Sequence, residues 1–156
     1  MFRVAIITSL TTALVWGSFI PTFGGDTRYK DKSYQRDNNK SIVYNTKTDK
    51  MFSDFENKNR YTFSKAQEYC KKLDYASFKD WRVPTYEELR DLLDIPRQPV
   101  SIKHPFKNVQ KGIYWSSSED KYGNSWYTDF DLGRYSTGKN SKEFFVMCIR
   151  DGKNKK

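Results

Sequence analysis

Two cysteines, one histidine and a run of three serines are the residues of this 156-residue chain best suited to covalent chemistry, proton transfer or metal binding. Cys70 (QEYCKKL) and Cys148 (FFVMCIR) each stand in an apolar-aromatic setting. In an oxidising compartment an even pair of this kind points to one disulfide. Such a bond would close a loop of almost eighty residues and tie a helix to the last strand, for roughly 4 to 5 kcal/mol at most in the chain-entropy model. A metal centre needs more ligands than two isolated cysteines and His104 supply. A hydrolase needs an acid–base pair or a nucleophile beside a base. His104, in KHPF, has no identifiable partner in the sequence, and Ser116-Ser117-Ser118 lacks the Gly-x-Ser-x-Gly setting of a nucleophile turn. The expectation is a protein with no catalytic residues, no metal and no cofactor.

Charge offers a different chemistry. The chain carries 28 basic and 19 acidic residues, a net +9, which favours polyanionic partners. The basic residues of the irregular segments are the binding candidates: Arg97, Lys103, Lys107 and Lys111 in one long loop, Arg134 and Lys139 in the last turn, and Lys142. Flexible polar segments expose their side chains together, and a polyanion can approach mobile positive charge with little penalty. Tyr122, Tyr127 and Tyr135 could add stacking contacts on the same side. The alternative is a solvated basic surface with no ligand.

The segments that must position these residues follow from pattern. Residues 1–24 begin with a single Arg3 and continue as an acid-free apolar run, the layout of a secretory signal cut near Gly24. An uncleaved membrane anchor is the alternative, since a bilayer needs ~20 apolar residues. After cleavage 27 basic and 19 acidic residues remain, a net +8. Export makes nucleic acid the least suitable polyanion and acidic or sulfated glycans the better one. Residues 25–40 (GDTRYKDKSYQRDNNK) lack apolar periodicity and read as a flexible linker. Residues 41–152 read as one domain, followed by a basic tail at 153–156. Ile42–Tyr44 and Met51–Phe55 flank a turn-forming segment and predict a hairpin. Phe63, Ala66, Tyr69, Cys70 and Leu73 fall at helical spacing behind a Thr62 or Ser64 cap, turning Cys70 inward. Thr85 and Glu88 after Pro84 form a capping box before Leu89, Leu92 and Leu93. The three prolines after Leu93 predict a long ordered loop. GIYWSSSE, NSWYTDFDLGRYS and KEFFVMCIRDG predict strands, with turns at Lys121–Asn124 and Gly138–Asn140. The order is that of an α+β domain.

The series VYNTKTDKMF, TFSKAQEYCKKL, DWRVPTYEELRDLLD, YWSSS, SWYTDFDLG and FFVMCIR resembles the DUF1566 family, the C-terminal domain of the Legionella collagen-like protein, over about residues 42–151. The resemblance implies a C-type lectin-like domain with two helices and small, mostly antiparallel sheets, on an exported binding module whose best-supported activity is adhesion to sulfated polysaccharide. It departs from the family at Thr48-Asp49-Lys50-Met51-Phe52, where the usual pattern is Thr-Gly-Leu-x-Trp. It has no collagen-like repeat, and the calcium-dependent sugar motifs of true C-type lectins are missing. The related sulfatase-activating enzymes would need a reactive cysteine, and none is spare once Cys70 and Cys148 pair.

Within this signature, Trp81, Trp115 and Trp126 could stack on sugar rings while Arg82 grips a sulfate. Beside a helix cap and strand centres they are expected instead to fill the core, with Arg82 paired to an internal acid or to carbonyls. Trp81, Arg82, Pro84, Thr85, Glu88, Trp115 and Trp126 are thus read as structural, and ligand contact is assigned to the basic loops. The partner expected is an acidic or sulfated polysaccharide, or a surface protein in a periplasmic or cell-surface assembly, with no membrane span after cleavage.

Overall fold

The computed structural model describes residues 31–97 and 99–152. The signal segment 1–24, the linker residues 25–30 and the basic tail 153–156 lie outside the described residues. Seven strands, β1 (Tyr34–Asp37), β2 (Ile42–Asn45), β3 (Lys50–Ser53), β4 (Ile113–Glu119), β5 (Ser125–Asp129), β6 (Arg134–Gly138) and β7 (Ile149–Asp151), combine with helices α1 (Phe63–Lys72) and α2 (Tyr86–Arg90). Two antiparallel sheets result, ordered β1-β2-β3-β7 and β4-β5-β6. The architecture is α+β.

The segment Phe145–Ile149 is the spine between two apolar clusters. Successive side chains of an extended chain point to opposite sides. Phe145, Met147 and Ile149 accordingly join Val43, Phe52, Leu89, Leu92, Tyr114 and Phe130. Val146 and Cys148 join Ile42, Phe63, Ala66, Cys70, Trp81 and Trp115. Cys70 and Cys148 are bonded there, with Cα atoms 5.5 Å apart, so α1 is fastened to the residue preceding β7. The long strand expected here is cut to three residues because its backbone is shared. Phe144 bonds Tyr61, Phe145 bonds Ile113 and Trp115, and the Cys148 carbonyl accepts from Ser53 N–H.

The sequence expectation fails in two places. Residues 31–40 are not a linker: Tyr34–Asp37 pairs in register with Ile42–Asn45 as β1. Apolar periodicity could not reveal it, because β1 gives the core one ring only, Tyr34, and is otherwise held by backbone pairing and a buried ion pair. The Arg36 guanidinium lies against the Asp54 carboxylate with both side chains almost wholly buried. The segment after Asn124 is not one strand either. The Asp129 carboxylate accepts from the N–H groups of Asp131 and Leu132, and Gly133 takes φ +62°, turning the chain back as β6. Leu132, in this turn, is exposed.

Asp49 adopts φ +52°, in the left-handed region that glycine enters most easily, at the position where the resembling family carries glycine. Its carboxylate accepts from Tyr44 Oη at 2.7 Å, a local bond of the kind that lets aspartate occupy that region. The long loop packs inward, burying Ile102 and Phe106.

Candidate functional site

The signature residues form a clasp. Trp81 and Trp115 are buried, their indole N–H groups donating to the carbonyls of Phe78 at 3.1 Å and Tyr61 at 2.7 Å. Arg82 donates to both Glu88 oxygens at 2.8 and 2.7 Å, while its backbone exchanges two bonds with Ile149. Glu88 also accepts from Thr85 N–H at 2.8 Å, and Thr85 Oγ1 accepts from Glu88 N–H, completing the capping box. Pro84 lends its carbonyl to Ser117 N–H at 2.7 Å. Asp80 holds the buried Arg150 through bonds of 2.7 and 3.0 Å, and the Arg150 guanidinium lies 3.9 Å over the Phe78 ring. The Arg82–Ile149 and Asp80–Arg150 bonds hold the 80–88 segment against β7, and the Pro84–Ser117 bond holds it against β4.

The clasp sets an acid limit on stability. Hydrogen bonds from Arg150 hold the Asp80 carboxyl below its ordinary value. Burial by itself would raise Glu88, but the Arg82 and Thr85 bonds outweigh it and the net shift is also downward. A carboxyl depressed in the folded state stabilises above its unfolded pKa, about 4, and that contribution disappears as pH falls through the folded value. The melting temperature should therefore respond little to these groups between about pH 7 and 5 and fall below about pH 4. Circular dichroism melts across that range, with Asp80→Asn flattening the acid limb, check this.

The serine triplet is occupied in the same way. Ser116 is buried and accepts from Ser118 N–H at 3.2 Å, Ser117 Oγ donates to the Pro84 carbonyl, and Ser118 Oγ accepts from Tyr86 N–H at 3.0 Å. His104 is exposed on the long loop. Among the described residues no group of three His, Cys, Asp or Glu side chains could hold a metal ion.

Trp126 is the exception within the signature. It is only partly buried, its ring 4.7 Å from Tyr86 and 6.4 Å from Tyr135, with Arg90 5.2 Å over Tyr86. The cause is the length of α2, five residues, too short to cover the face of β5 and β6. Trp126 therefore forms an aromatic rim and not a core contact.

The seven basic candidates do not form one surface. Arg97 donates to the Ile102 carbonyl at 3.1 Å. Lys103 sits 3.3 Å from Asp91 and 3.7 Å from Asp31, over the Tyr34 ring. Lys107 reaches Asn38 at 3.0 Å. These three brace the long loop and β1. Lys111 lies 3.4 Å from Asp131 and Arg134 3.6 Å from Asp129, at the β5–β6 turn. Lys139 and Lys142 lie at the other end of β6, four strand steps or roughly 13 Å from Arg134. Residues 31–152 carry 22 basic and 18 acidic side chains, a net +4 of the chain's +9. More than half of the excess charge thus belongs to the two ends of the chain.

What remains free is the end of the β4–β5–β6 sheet. Asn140 ties its two turns together, accepting from Ser125 N–H at 3.0 Å and donating to the Gly123 carbonyl at 3.3 Å. This sets Lys139 and Lys142 beside Lys121 and Tyr122, all four exposed. Lys121 lies 4.9 Å over the ring of Tyr122, which is 76 % exposed. None of the three lysines forms an ion pair among the described residues. Asp120 is turned into its own loop, where the N–H of Asn124 leads the bonds that lower its pKa. Glu119 and Glu143 are exposed at the same end, making it a mixed-charge site with three projecting cations. Lys121 was not among the candidates; the signal was its place in a turn opened by Asp120 and closed by Gly123-Asn124.

No curated protein matches the sequence. A family model described as the Lcl C-terminal domain matches residues 6–150, nearly the whole chain. The match takes in the clasp, both sheets and the disulfide pair, and the chain belongs to the Lcl C-terminal domain family.

Proposed function

We propose that this protein is an exported, non-catalytic binding module on a C-type lectin-like fold, which attaches to acidic or sulfated glycans through the lysine-bearing end of the β4–β5–β6 sheet. The observation that carries this function is the placing of Lys121, Lys139 and Lys142, exposed and without ion pairs among the described residues, in two turns that Asn140 joins, with Lys121 over the exposed ring of Tyr122. Ammonium groups meet sulfate or carboxylate, and an aromatic face takes the apolar side of a sugar ring. Export rests on the apolar segment 1–24. No helix among the described residues is long and apolar enough to cross a membrane.

Retention on immobilised heparin is the test. The protein should be held at physiological ionic strength, about 0.15 M. Joint replacement of Lys121, Lys139 and Lys142 by alanine should make the negative slope of log K against log salt shallower by about 2 to 3, near one per lost contact. The Lys111→Ala/Arg134→Ala pair, at the other end of β6, should elute close to wild type. Co-elution of the triple variant with wild type overturns the assignment.

One observation favours a protein partner instead. Ile95 and Leu132 are 62 % and 58 % exposed, on either side of Gly133, whose Cβ position lies 3.2 Å from Ile95. Two exposed aliphatic side chains at one end of a small domain suit a contact within a cell-surface assembly. A stoichiometric partner recovered with the exported protein would favour this second function over the first.

A further inference from the structure

The outer face of α1 carries a shallow, largely open groove of 530 Å³. Its floor is made by Tyr61, which precedes the helix, by Tyr69 on it and by Leu73, which caps its C-terminus. The two tyrosine rings lie 4.9 Å apart and only 31° from parallel, so they stack on one another as an offset pair that presents an outer ring face. Lys65, Tyr69 and Lys72 follow one another at i, i+4 and i+7, which brings them onto one stripe of the helix. The opposite stripe is fixed, because Cys70 is buried and bonded to Cys148. Tyr61 is fixed from the other side by paired backbone bonds with Phe144.

The rim is charged but largely self-neutralised. Lys72 donates to Glu68 at 2.6 Å, and Lys79 lies 3.1 Å from Asp74. On this rim Lys65 alone has no ion pair among the described residues. An aromatic floor with balanced charge around it does not select a strongly charged ligand. It suits a ring with an apolar C–H face and hydroxyls around its edge, the face lying on the tyrosines and the hydroxyls bonding to the carboxylates and ammonium groups of the rim.

We propose that this groove is a second ligand site, which binds an uncharged pyranose unit by stacking on the outer face of the Tyr61–Tyr69 pair. It is distinct from the lysine-bearing end in what drives it. Binding at the lysines depends on ionic strength, and stacking in the groove does not.

The test titrates the full-length exported protein with cellobiose, lactose and N,N′-diacetylchitobiose, following saturation-transfer NMR at 0.05 and 0.5 M salt as the probe conditions. At least one disaccharide should bind with Kd near the millimolar level typical of a shallow single site, about 1 mM, and equally at both salt concentrations. Tyr61→Leu and Tyr69→Leu, which keep apolar bulk at the groove, should each raise Kd about tenfold, the scale of one lost ring contact. Lys65→Ala, on an exposed position that leaves packing intact, should raise it about threefold, as for one lost hydrogen bond. The Lys121/Lys139/Lys142 alanine variant should bind these sugars like wild type, so failure at either site is separable from failure at the other. Absence of saturable binding by all three sugars overturns the proposal, as would occur if another segment or partner fills the groove. So does binding that the tyrosine variants leave unchanged, that is abolished at high salt, or that disappears with the three lysines.

Discussion

Replacement of Asp54 by alanine should lower the unfolding free energy by about 3 to 5 kcal/mol, the usual cost of stranding one member of a buried ion pair. Asp54 follows β3 at the meeting point of three chain segments. Its carboxylate faces the Arg36 guanidinium of β1, both side chains being almost inaccessible. It also accepts from the N–H groups of Lys107 at 3.0 Å and Asn108 at 3.1 Å. The Asp54 carbonyl accepts from the Asn108 amide at 2.6 Å, and its N–H reaches the Ser41 carbonyl at 2.8 Å. Alanine removes the acceptors and leaves a buried guanidinium and two backbone donors without them. Asparagine keeps the shape and one acceptor, so Asp54→Asn should cost less, about 1 to 3 kcal/mol. Urea denaturation measures both. Hydrogen exchange gives the local signature, since amides of Tyr34–Asp37 should lose protection first in the alanine variant. Unchanged stability, or a loss with β1 still fully protected, would show that this pair does not hold β1 to the domain.

Joint replacement of Cys70 and Cys148 by alanine should cost about 2 to 5 kcal/mol. The 78-residue separation places the bond near the upper end of loop-closure effects. Both cysteines are also buried in the cluster around Trp81 and Trp115, so lost packing adds to the loss of the covalent restraint. Guanidinium unfolding with and without reductant checks it. The oxidised protein should have the higher midpoint. The reduced protein should have the larger m-value, because its unfolded chain exposes more surface. A midpoint indifferent to reductant would mean that apolar packing alone seats α1. Because α1 carries the tyrosine groove on its outer face, reduction should also loosen that groove.

The difference between these two predictions lies in what the sequence reveals. Cysteines come in few copies, and two of them in a chain expected to be exported name each other. The Arg36–Asp54 pair cannot be picked out in that way, because each residue has many candidate partners and nothing local selects one. The same holds for Asp80 and Arg150, 70 positions apart. The basic loop residues show the limit most clearly. Their charge was legible, but Lys103, Lys107 and Arg97 are engaged by groups that only folding brings near. The cations left projecting, Lys121, Lys139 and Lys142, sit in turns joined by Asn140 across 15 and 17 positions.

The sequence alone determined what depends on neighbours. The Thr85–Glu88 capping box closes over three residues, the hairpin at 42–53 follows from two short apolar runs around a turn, and Cys70 faces inward by helical spacing. Tertiary structure decided what depends on distance through space: the strand Tyr34–Asp37, the surface position of Trp126 beyond a short α2, and the tyrosine groove. The physical reason is range. Backbone hydrogen bonding and side-chain periodicity act within one or two turns of chain, whereas ion pairing and burial act between any groups the fold brings within a few ångströms.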